Sequence, residues 1–220
     1  MQTYWSFLQE RYADILQALG QHLAISLTAI VLGTLLAVPL GIALVYNQIR
    51  WINGSVFFVA NLLQTVPSLA LLAVLIPLMG IGTKPAVVAL LLYTIMPILR
   101  NTYDGFDSVD RNVLESARGM GYGTMQRILL IQLPLSLPYI MSGIRVTMVY
   151  IISWATLATL IGAGGLGQLI VSGMAVNKPE LIVTGALGSI LLALLVDVLL
   201  GMLEKWLTGR FGGGAKRMTI

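Results

Sequence analysis

Charged and small residues with regular spacing are concentrated between residues 107 and 134, the most polar internal stretch of the 220-residue sequence. Glu115 and Arg118 are three positions apart, so on a helix they can pair on the solvent side. Three small or apolar residues would form one smooth stripe on such a helix: Leu114, Ala117 and Gly121. No nucleophile, base and orienting group come together for catalysis. The pattern therefore predicts either a short amphipathic helix that docks onto another protein or a solvated loop that only links two spans.

Acidic residues and glycines mark the ends of this predicted helix. Asp107 can cap its start and Asp110 suits its first turn, where the helix dipole favours acids. Three glycines, which are costly inside a helix, predict its end and a sharp turn: Gly119, Gly121 and Gly123. A second short helix is expected over residues 124–131. Leu133 and Pro134 should close it and open the next helix, since proline is tolerated in a first turn.

The order of residues in this stretch resembles the cytoplasmic loop of ABC importer permeases. That pattern is Glu-Ala-Ala, three residues, Gly, nine residues, Ile, one residue and Leu-Pro. The sequence has Glu115-Ser116-Ala117, Gly121 and Ile131-Gln132-Leu133-Pro134 at those intervals, and only Ser116 departs from the pattern. The resemblance implies that the loop helix sits in a groove of a partner ATPase and transmits its closure. It gives a coupling role to Glu115, Ser116, Ala117, Gly121, Ile131, Leu133 and Pro134.

The composition of the whole sequence is that of an integral membrane protein. Hydrophobic residues make up 57% of the sequence and charged residues 10%, against about a quarter charged in soluble domains. The mean hydropathy is +0.89. The net charge of +4 comes from basic residues spread singly over loop ends, which argues against a nucleic-acid surface. The sequence has no cysteine and a single histidine, His22, so a thiolate site is excluded and a histidine-based metal site is not expected.

Long apolar stretches predict an all-α polytopic membrane protein with five spans in contact with membrane lipid. The spans are expected near residues 22–46, 55–79, 85–99, 134–160 and 181–203, with the coupling loop 107–134 between the third and fourth. Residues 1–20 carry aromatic residues at helical spacing and predict an interfacial helix that lies on the membrane. The domain plan is therefore this helix, a transmembrane permease domain over 21–207 and a partly disordered cytoplasmic tail over 208–220.

Small residues indicate how the spans pack and turn. Three of them recur every four residues and should form a seam for a neighbouring helix: Gly33, Ala37 and Gly41. The third predicted span rises only about 22 Å, so it must continue through residues 100–103 or be surrounded by protein. The glycine-rich run 162–167 matches the letters of a dinucleotide-binding loop. An apolar helix precedes it instead of a strand, so it predicts a turn before a re-entrant or interfacial segment, 168–175.

Polar and aromatic residues inside the spans are candidates for a translocation path. Four uncharged polar residues near Pro67 must face either a water-filled path or another helix: Asn61, Gln64, Thr65 and Ser68. Tyr150 and Trp154 are one helical turn apart and either line the path or simply pack. Asp197 either pairs with Arg145, the candidate cation in another span, or reaches water near the end of its own span.

Basic residues predict the orientation, because cytoplasmic loops carry an excess of them. One side of the five-span plan would hold Arg50, Arg100, Arg111, Arg118, Arg127, Lys205, Arg210, Lys216 and Arg217. The other side would hold only Arg11, Lys84 and Lys178. The chain is therefore expected in the cell (inner) membrane of a prokaryote, with its N-terminus outside and with the loop and the C-terminus in the cytoplasm.

The sequence has no G-x-x-x-x-G-K-[ST] phosphate-binding loop and no acidic cluster for magnesium, so ATP hydrolysis is expected in a partner. The resemblance implies a type I ABC importer permease that binds no cofactor or metal and pairs with itself or with a similar subunit. Its other implied partners are ABC ATPase subunits, which hold ATP and Mg, and an extracellular substrate-binding protein. The phrases Gln64-Thr65-Val66-Pro67-Ser68 and Pro97-Ile98-Leu99-Arg100-Asn101-Thr102 are similar to permeases for glycine betaine, carnitine and choline.

Other functions fit the sequence less well. An importer of methionine or another amino acid shares the compact five-span plan. An ion-coupled carrier would need inverted repeats and several acids at mid-membrane depth, where this sequence has one. A membrane scaffold would not need the docking loop, and an enzyme would need a catalytic constellation that the sequence lacks.

Overall fold

The computed structural model describes residues 4–211 and shows, over that range, helices joined by short turns and no strand. The helices are α1 Tyr4–Tyr46, α2 Arg50–Thr65, α3 Ser68–Met79, α4 Thr83–Asp107, α5 Arg111–Gly119, α6 Thr124–Arg127, α7 Leu133–Ala158, α8 Leu166–Ala175 and α9 Pro179–Phe211. A π-helical turn, Ile128–Gln132, joins α6 to α7, and a 3-10 turn, Thr159–Ile161, follows α7. The all-α fold class is confirmed.

Five elements are long and apolar enough to cross a membrane. Four of them, α1, α4, α7 and α9, qualify singly or with a short helical extension, and α2 and α3 qualify as a pair bent by 97°. Hydrogen bonds fix which ends lie together: Tyr46 at the end of α1 bonds Gln132 before α7, and Tyr4 at the start of α1 bonds Thr184 in α9. The ends of α1, α4 and α9 therefore share the side of α5 and α6, called here the loop side. The described chain starts at the opposite, far side.

Helix α4 lies between α1 and α7 in the middle of the fold. A Cβ added to Gly33 would collide with the side chain of Thr94, and one added to Gly41 would lie 2.9 Å from the Thr102 Cβ. Ala37 between them is completely buried. The predicted seam of small residues is thus the surface on which α4 packs against α1, because only small side chains let two helix backbones approach this closely.

Three predicted span boundaries change in the structure. The interfacial helix 1–20 is not separate from the first span, because α1 runs unbroken for 43 residues, about 65 Å, which is longer than a bilayer core. The second span is broken at residues 66 and 67, where α2 ends and α3 begins. The third span continues to Asp107, as its short predicted length required. Of the predicted tail 208–220, residues 208–211 belong to α9 and residues 212–220 lie outside the described chain.

The glycine-rich run folds as the turn that the sequence predicts, and side chains of α1 cap the helix after it. Gly165 has φ +85 and its N–H donates to Oε1 of Gln21 at 3.2 Å. Leu166 N–H donates to Nδ1 of His22 at 3.3 Å, while Nε2 of His22 lies 2.9 Å from the Ile152 carbonyl. His22 must then be neutral with its proton on Nε2, because Nδ1 accepts. The single histidine of the chain is a helix cap.

An ion pair joins α7 to α9 inside the membrane-spanning region, as one of the two interpretations of Asp197 predicted. Arg145 donates to both carboxylate oxygens of Asp197, at 2.5 and 2.8 Å, and lies 3.6 Å from Glu204. On α9 the two acids are seven residues apart, and Gly201 stands between them on the same face. A Cβ at Gly201 would lie 3.1 Å from the guanidinium carbon, so the glycine makes room for the cation.

Replacing Arg145 by methionine would leave two acids on α9 without a counter-charge at membrane depth. We expect the Arg145→Met protein to unfold several degrees below the natural protein in detergent, because an uncompensated acid there is costly. Asp197→Asn should lower the melting temperature less, and the exchange Arg145→Asp with Asp197→Arg should recover part of the loss. An unchanged melting temperature for Arg145→Met would contradict the role of the pair.

Candidate coupling surface and translocation path

The start of α5 is set by Asp110 and not by Asp107. The carboxylate of Asp110 accepts a hydrogen bond from the backbone N–H of Asn112 at 2.8 Å, as an N-cap residue does. Asp107, predicted to cap this helix, is instead the last residue of α4. The prediction was wrong because α4 continues beyond the end of the apolar pattern and includes residue 107. This residue therefore cannot cap the start of α5.

Helix α5 turns its smooth side towards its own chain. Ala117 is only 1% exposed and Leu114 is partly buried, whereas Glu115 and Ser116 are exposed. A small residue at position 117 is therefore explained by packing within this chain. Glu115 and Arg118 do not form an ion pair among the described residues. Glu115 and Ser116 remain the coupling candidates whose side chains reach the surface of α5.

The turn after α5 explains the glycine at position 121. Gly121 has φ +88, and its N–H donates to the Arg118 carbonyl at 3.0 Å, while Tyr122 N–H donates to the Ala117 carbonyl at 3.1 Å. This pair of bonds is the Schellman helix ending, which needs a left-handed residue at the glycine position. A Cβ on Gly121 would meet nothing within 4 Å. Conformation, not crowding within the chain, accounts for this glycine.

The turn also presents apolar side chains that the sequence reasoning missed. Met120 is 69% exposed and Met125 is 65% exposed, and Tyr122 between them is at the border of exposure. Flexible methionines beside an aromatic ring are common at protein-binding surfaces. The sequence could have indicated this surface, because large apolar residues lie among and just after the glycines of an otherwise polar loop. These three residues and the exposed face of α5 are called here the coupling surface.

The end of the motif lies where a π turn passes into α7. The sequence predicted that Leu133 and Pro134 open the next helix, and α7 does begin at Leu133 with Pro134 in its first turn. The preceding helix does not stop there, because the helical chain runs without a break from Thr124 to Ile161. The N–H of Leu133 donates to the carbonyl of Ile128, five residues back, so the turn is wider than an α turn. Pro134 has no N–H to donate, and widening the preceding turn lets the helix continue past it. Ile131, Leu133 and Pro134 are all partly buried beside this turn.

Gln132 ties the π turn to the end of α1. Its side chain is 2% exposed and its Oε1 accepts a hydrogen bond from the hydroxyl of Tyr46. The chain passes from the coupling surface into α7 through the π turn. The hydrogen bond to Tyr46 connects this turn to α1. Sequence reasoning could not pair Tyr46 with a residue 86 positions away.

The break between α2 and α3 gathers part of the predicted path. The Val66 carbonyl accepts a hydrogen bond from the Tyr93 hydroxyl at 2.7 Å, and Nε2 of Gln64 donates to the Tyr93 carbonyl at 3.4 Å. The hydroxyl of Thr65 donates to the carbonyl of Leu62 in its own helix. Asn61, Gln64 and Thr65 are exposed and Ser68 is partly exposed. The structure thus brings Gln64 to α4 and leaves Asn61 and Ser68 open at the surface of the single chain.

Aromatic rings continue from this break along α7. The ring centroids of Tyr93 and Trp154 are 4.6 Å apart, and those of Trp154 and Tyr150 are 6.1 Å apart in a stacked arrangement. Tyr93 is buried, Trp154 is half-buried and Tyr150 is 54% exposed. Tyr150 and Trp154 do pack on one another, and with Tyr93 they form a row of rings that reaches from the broken span to the surface. Tyr93 was missed because its neighbour Trp154 lies in a different helix.

Known proteins resemble this chain over nearly its whole length. Residues 15–209 match the family described as "Binding-protein-dependent transport system inner membrane component". The glycine betaine/carnitine/choline transport system permease protein OpuCB of Bacillus subtilis (strain 168) is 44% identical over 219 residues, which is 100% of both chains. The carnitine transport permease protein OpuCB of Listeria monocytogenes is 48% identical over 208 residues, or 94% of each chain.

A solved structure has the same fold. The MetNI methionine ABC transporter, crystallised in inward-facing conformations, contains a chain that superimposes with a TM-score of 0.81 at 21% identity. The match covers 90% of this chain and 98% of that one. At this identity the likeness shows the fold, which is that of a type I ABC importer permease. This chain belongs to the binding-protein-dependent transport system inner membrane components, the multi-pass permease subunits of ABC importers.

Proposed function

We propose that this chain forms the membrane path of an ATP-driven importer for the quaternary ammonium compatible solutes glycine betaine, carnitine and choline. The observation that carries the proposal is the 44% identity, over the full length of both chains, to a permease named for those three solutes. The amino-acid alternative is supported by fold likenesses such as that to MetNI, at 21% identity, which do not extend to a substrate. The spans are also explained by membership of the permease family, so an ion-coupled carrier is no longer needed to explain them.

The partners follow from the same proposal. Two ABC ATPase subunits, which bind ATP and Mg, dock on the coupling surface, and a substrate-binding protein delivers the solute on the far side. This chain binds no cofactor and pairs with a second permease subunit, either a copy or a similar chain. Exposed apolar residues at the turn after α5 support the docking site, since Met120 and Met125 would otherwise remain in water.

The proposed orientation puts the loop side in the cytoplasm. The described basic residues near the span ends are mostly on that side: Arg50, Arg100, Arg111, Arg118, Arg127, Lys205 and Arg210. Arg11, Lys84 and Lys178 are near the far side. An excess of Lys and Arg favours the cytoplasmic side of short loops, which supports an N-terminus outside and a C-terminus inside.

In the proposed coupling mechanism, the ATPase moves the coupling surface and the π turn passes that movement to α7. A π turn is less tightly wound than an α turn and is frequently found where helices deform during function. The bond from Tyr46 to Gln132 would make α1 and α7 move together at the loop side. Force applied at α5 then reaches two spans and not one.

Uptake of radiolabelled solutes tests the function. Cells that lack their own carriers would express this chain with its neighbouring ATPase and binding protein. We expect ATP-dependent uptake of at least one of glycine betaine, carnitine and choline, and no uptake without the ATPase. Uptake of methionine in place of all three solutes, by a complex of the same composition, would overturn the substrate assignment.

Substitutions at Gly121 separate the two explanations of this glycine. Because Gly121 has φ +88 and open space around it, we expect Gly121→Asn to keep more uptake than Gly121→Ala, since asparagine adopts positive φ more readily than alanine. Gly121→Val should abolish uptake without preventing membrane insertion. Gly119→Ala is the matched control: its site is equally open and it lacks positive φ. Better transport by alanine than by asparagine would favour clearance for a docked ATPase instead.

Paired substitutions at Tyr46 and Gln132 test the proposed mechanical link. Gln132→Leu leaves the Tyr46 hydroxyl without its partner, and we expect several-fold more ATP to be hydrolysed per solute transported in proteoliposomes. The double variant with Tyr46→Phe removes both polar groups and should fold at least as well as Gln132→Leu, since no hydroxyl is then left without its partner. Its coupling ratio should stay poor because the link is absent. A normal ratio in both variants would exclude this link from coupling.

A further inference from the structure

The broken span places the C-terminal end of a helix beside a row of aromatic rings. Helix α2 ends at Thr65, and the chain then turns by 97° into α3. The last carbonyls of a helix have no partner within it, so this end carries a partial negative charge. Tyr93 approaches the end directly, since its hydroxyl donates to the Val66 carbonyl. Its backbone carbonyl also receives the Gln64 side chain, so two contacts hold α4 against the break.

The rings beyond Tyr93 are progressively more accessible. Tyr93 is 3% exposed and anchored, Trp154 is half-buried 4.6 Å from it, and Tyr150 is more than half exposed. Trp154 and Tyr150 are stacked with an angle of 23° between their planes. Trp154, which also contacts Tyr93, keeps part of its surface accessible, and Tyr150 keeps more than half. A row of rings that was fully buried would be explained by ordinary packing in the protein core. This row begins at Tyr93, which is bonded to Val66 and Gln64 at the break, and reaches the surface at Tyr150.

We propose that Trp154 and Tyr150, which Tyr93 links to the negative end of α2, form a transit site for the quaternary ammonium group of the solute. The site rests on the proposed function, which supplies the class of solute. A trimethylammonium group has no N–H to donate, so carboxylates and amides cannot hold it by hydrogen bonds. Aromatic faces and a diffuse negative potential attract it. The polar groups at the site, Gln64 and Thr65, are uncharged, which keeps binding weak enough for release.

Fluorinated tryptophans at position 154 test this proposal. Each added fluorine draws electrons from the indole face and weakens its attraction for a cation with little change in shape. The probe is radiolabelled choline, transported by proteoliposomes that contain the complete complex and saturating binding protein. We expect the maximal uptake rate to fall stepwise from tryptophan to the mono-, di- and trifluorinated forms, by about tenfold in total.

The same series at Trp51 is the matched control. Trp51 is 72% exposed at the start of α2 on the loop side, away from the rings, and its fluorination should leave the rate unchanged. Failure of the site and failure of the function give different results. Choline, glycine betaine and carnitine uptake that is absent with natural tryptophan overturns the function. Normal uptake that does not change along the Trp154 series overturns the site alone.

Discussion

Backbone hydrogen bonding inside the membrane is the constraint on which this structure depends. At membrane depth no water is available to a free N–H or carbonyl, so every interruption of a helix must be satisfied by protein. The structure does this with side chains from other helices. The Tyr93 hydroxyl donates a hydrogen bond to the Val66 carbonyl at the break of the second span. The side chains of Gln21 and His22 accept hydrogen bonds from the first N–H groups of the α8 segment. Each repair also joins two helices that are distant in sequence, so the interruptions help to hold the fold together.

Two prolines show that the surroundings decide whether a helix is interrupted. Pro67 cannot donate a hydrogen bond, and the second span breaks there. Pro134 has the same defect, yet the helix continues because the preceding turn widens to a π turn. The difference lies in what surrounds each site. The break at Pro67 bends the chain by 97°, while the π turn is held in line by Gln132, which is buried and bonded to Tyr46.

The sequence predicted features that depend on neighbours along the chain and missed those that depend on neighbours in space. Five spans, the end of α5 at its glycines and the seam of α1 all follow from local spacing. Of the predicted stripe, Leu114 and Ala117 do share the side of α5 that is turned to the chain, whereas Gly121 lies in the turn after the helix and is exposed. Spacing could not say whether Ala117 faces a partner or its own chain. Likewise, Asp110 was seen as an acid of the first turn and not as the cap. Tyr46, Tyr93 and Glu204 gained roles only when distant helices were brought beside them.

Charged side chains inside the spans join helices, whereas the proposed site for the solute has no charged side chain. In the described spans, Arg145 of α7 bonds Asp197 of α9 and lies 3.6 Å from Glu204 of α9, so this charge cluster joins two helices. The broken span offers neutral polar groups, a helix end and aromatic faces. An acid at the break would hold a quaternary ammonium cation firmly and slow its release. The proposed path for a quaternary ammonium group works better when acids in the spans are already bonded within the protein, as Asp197 and Glu204 are by Arg145.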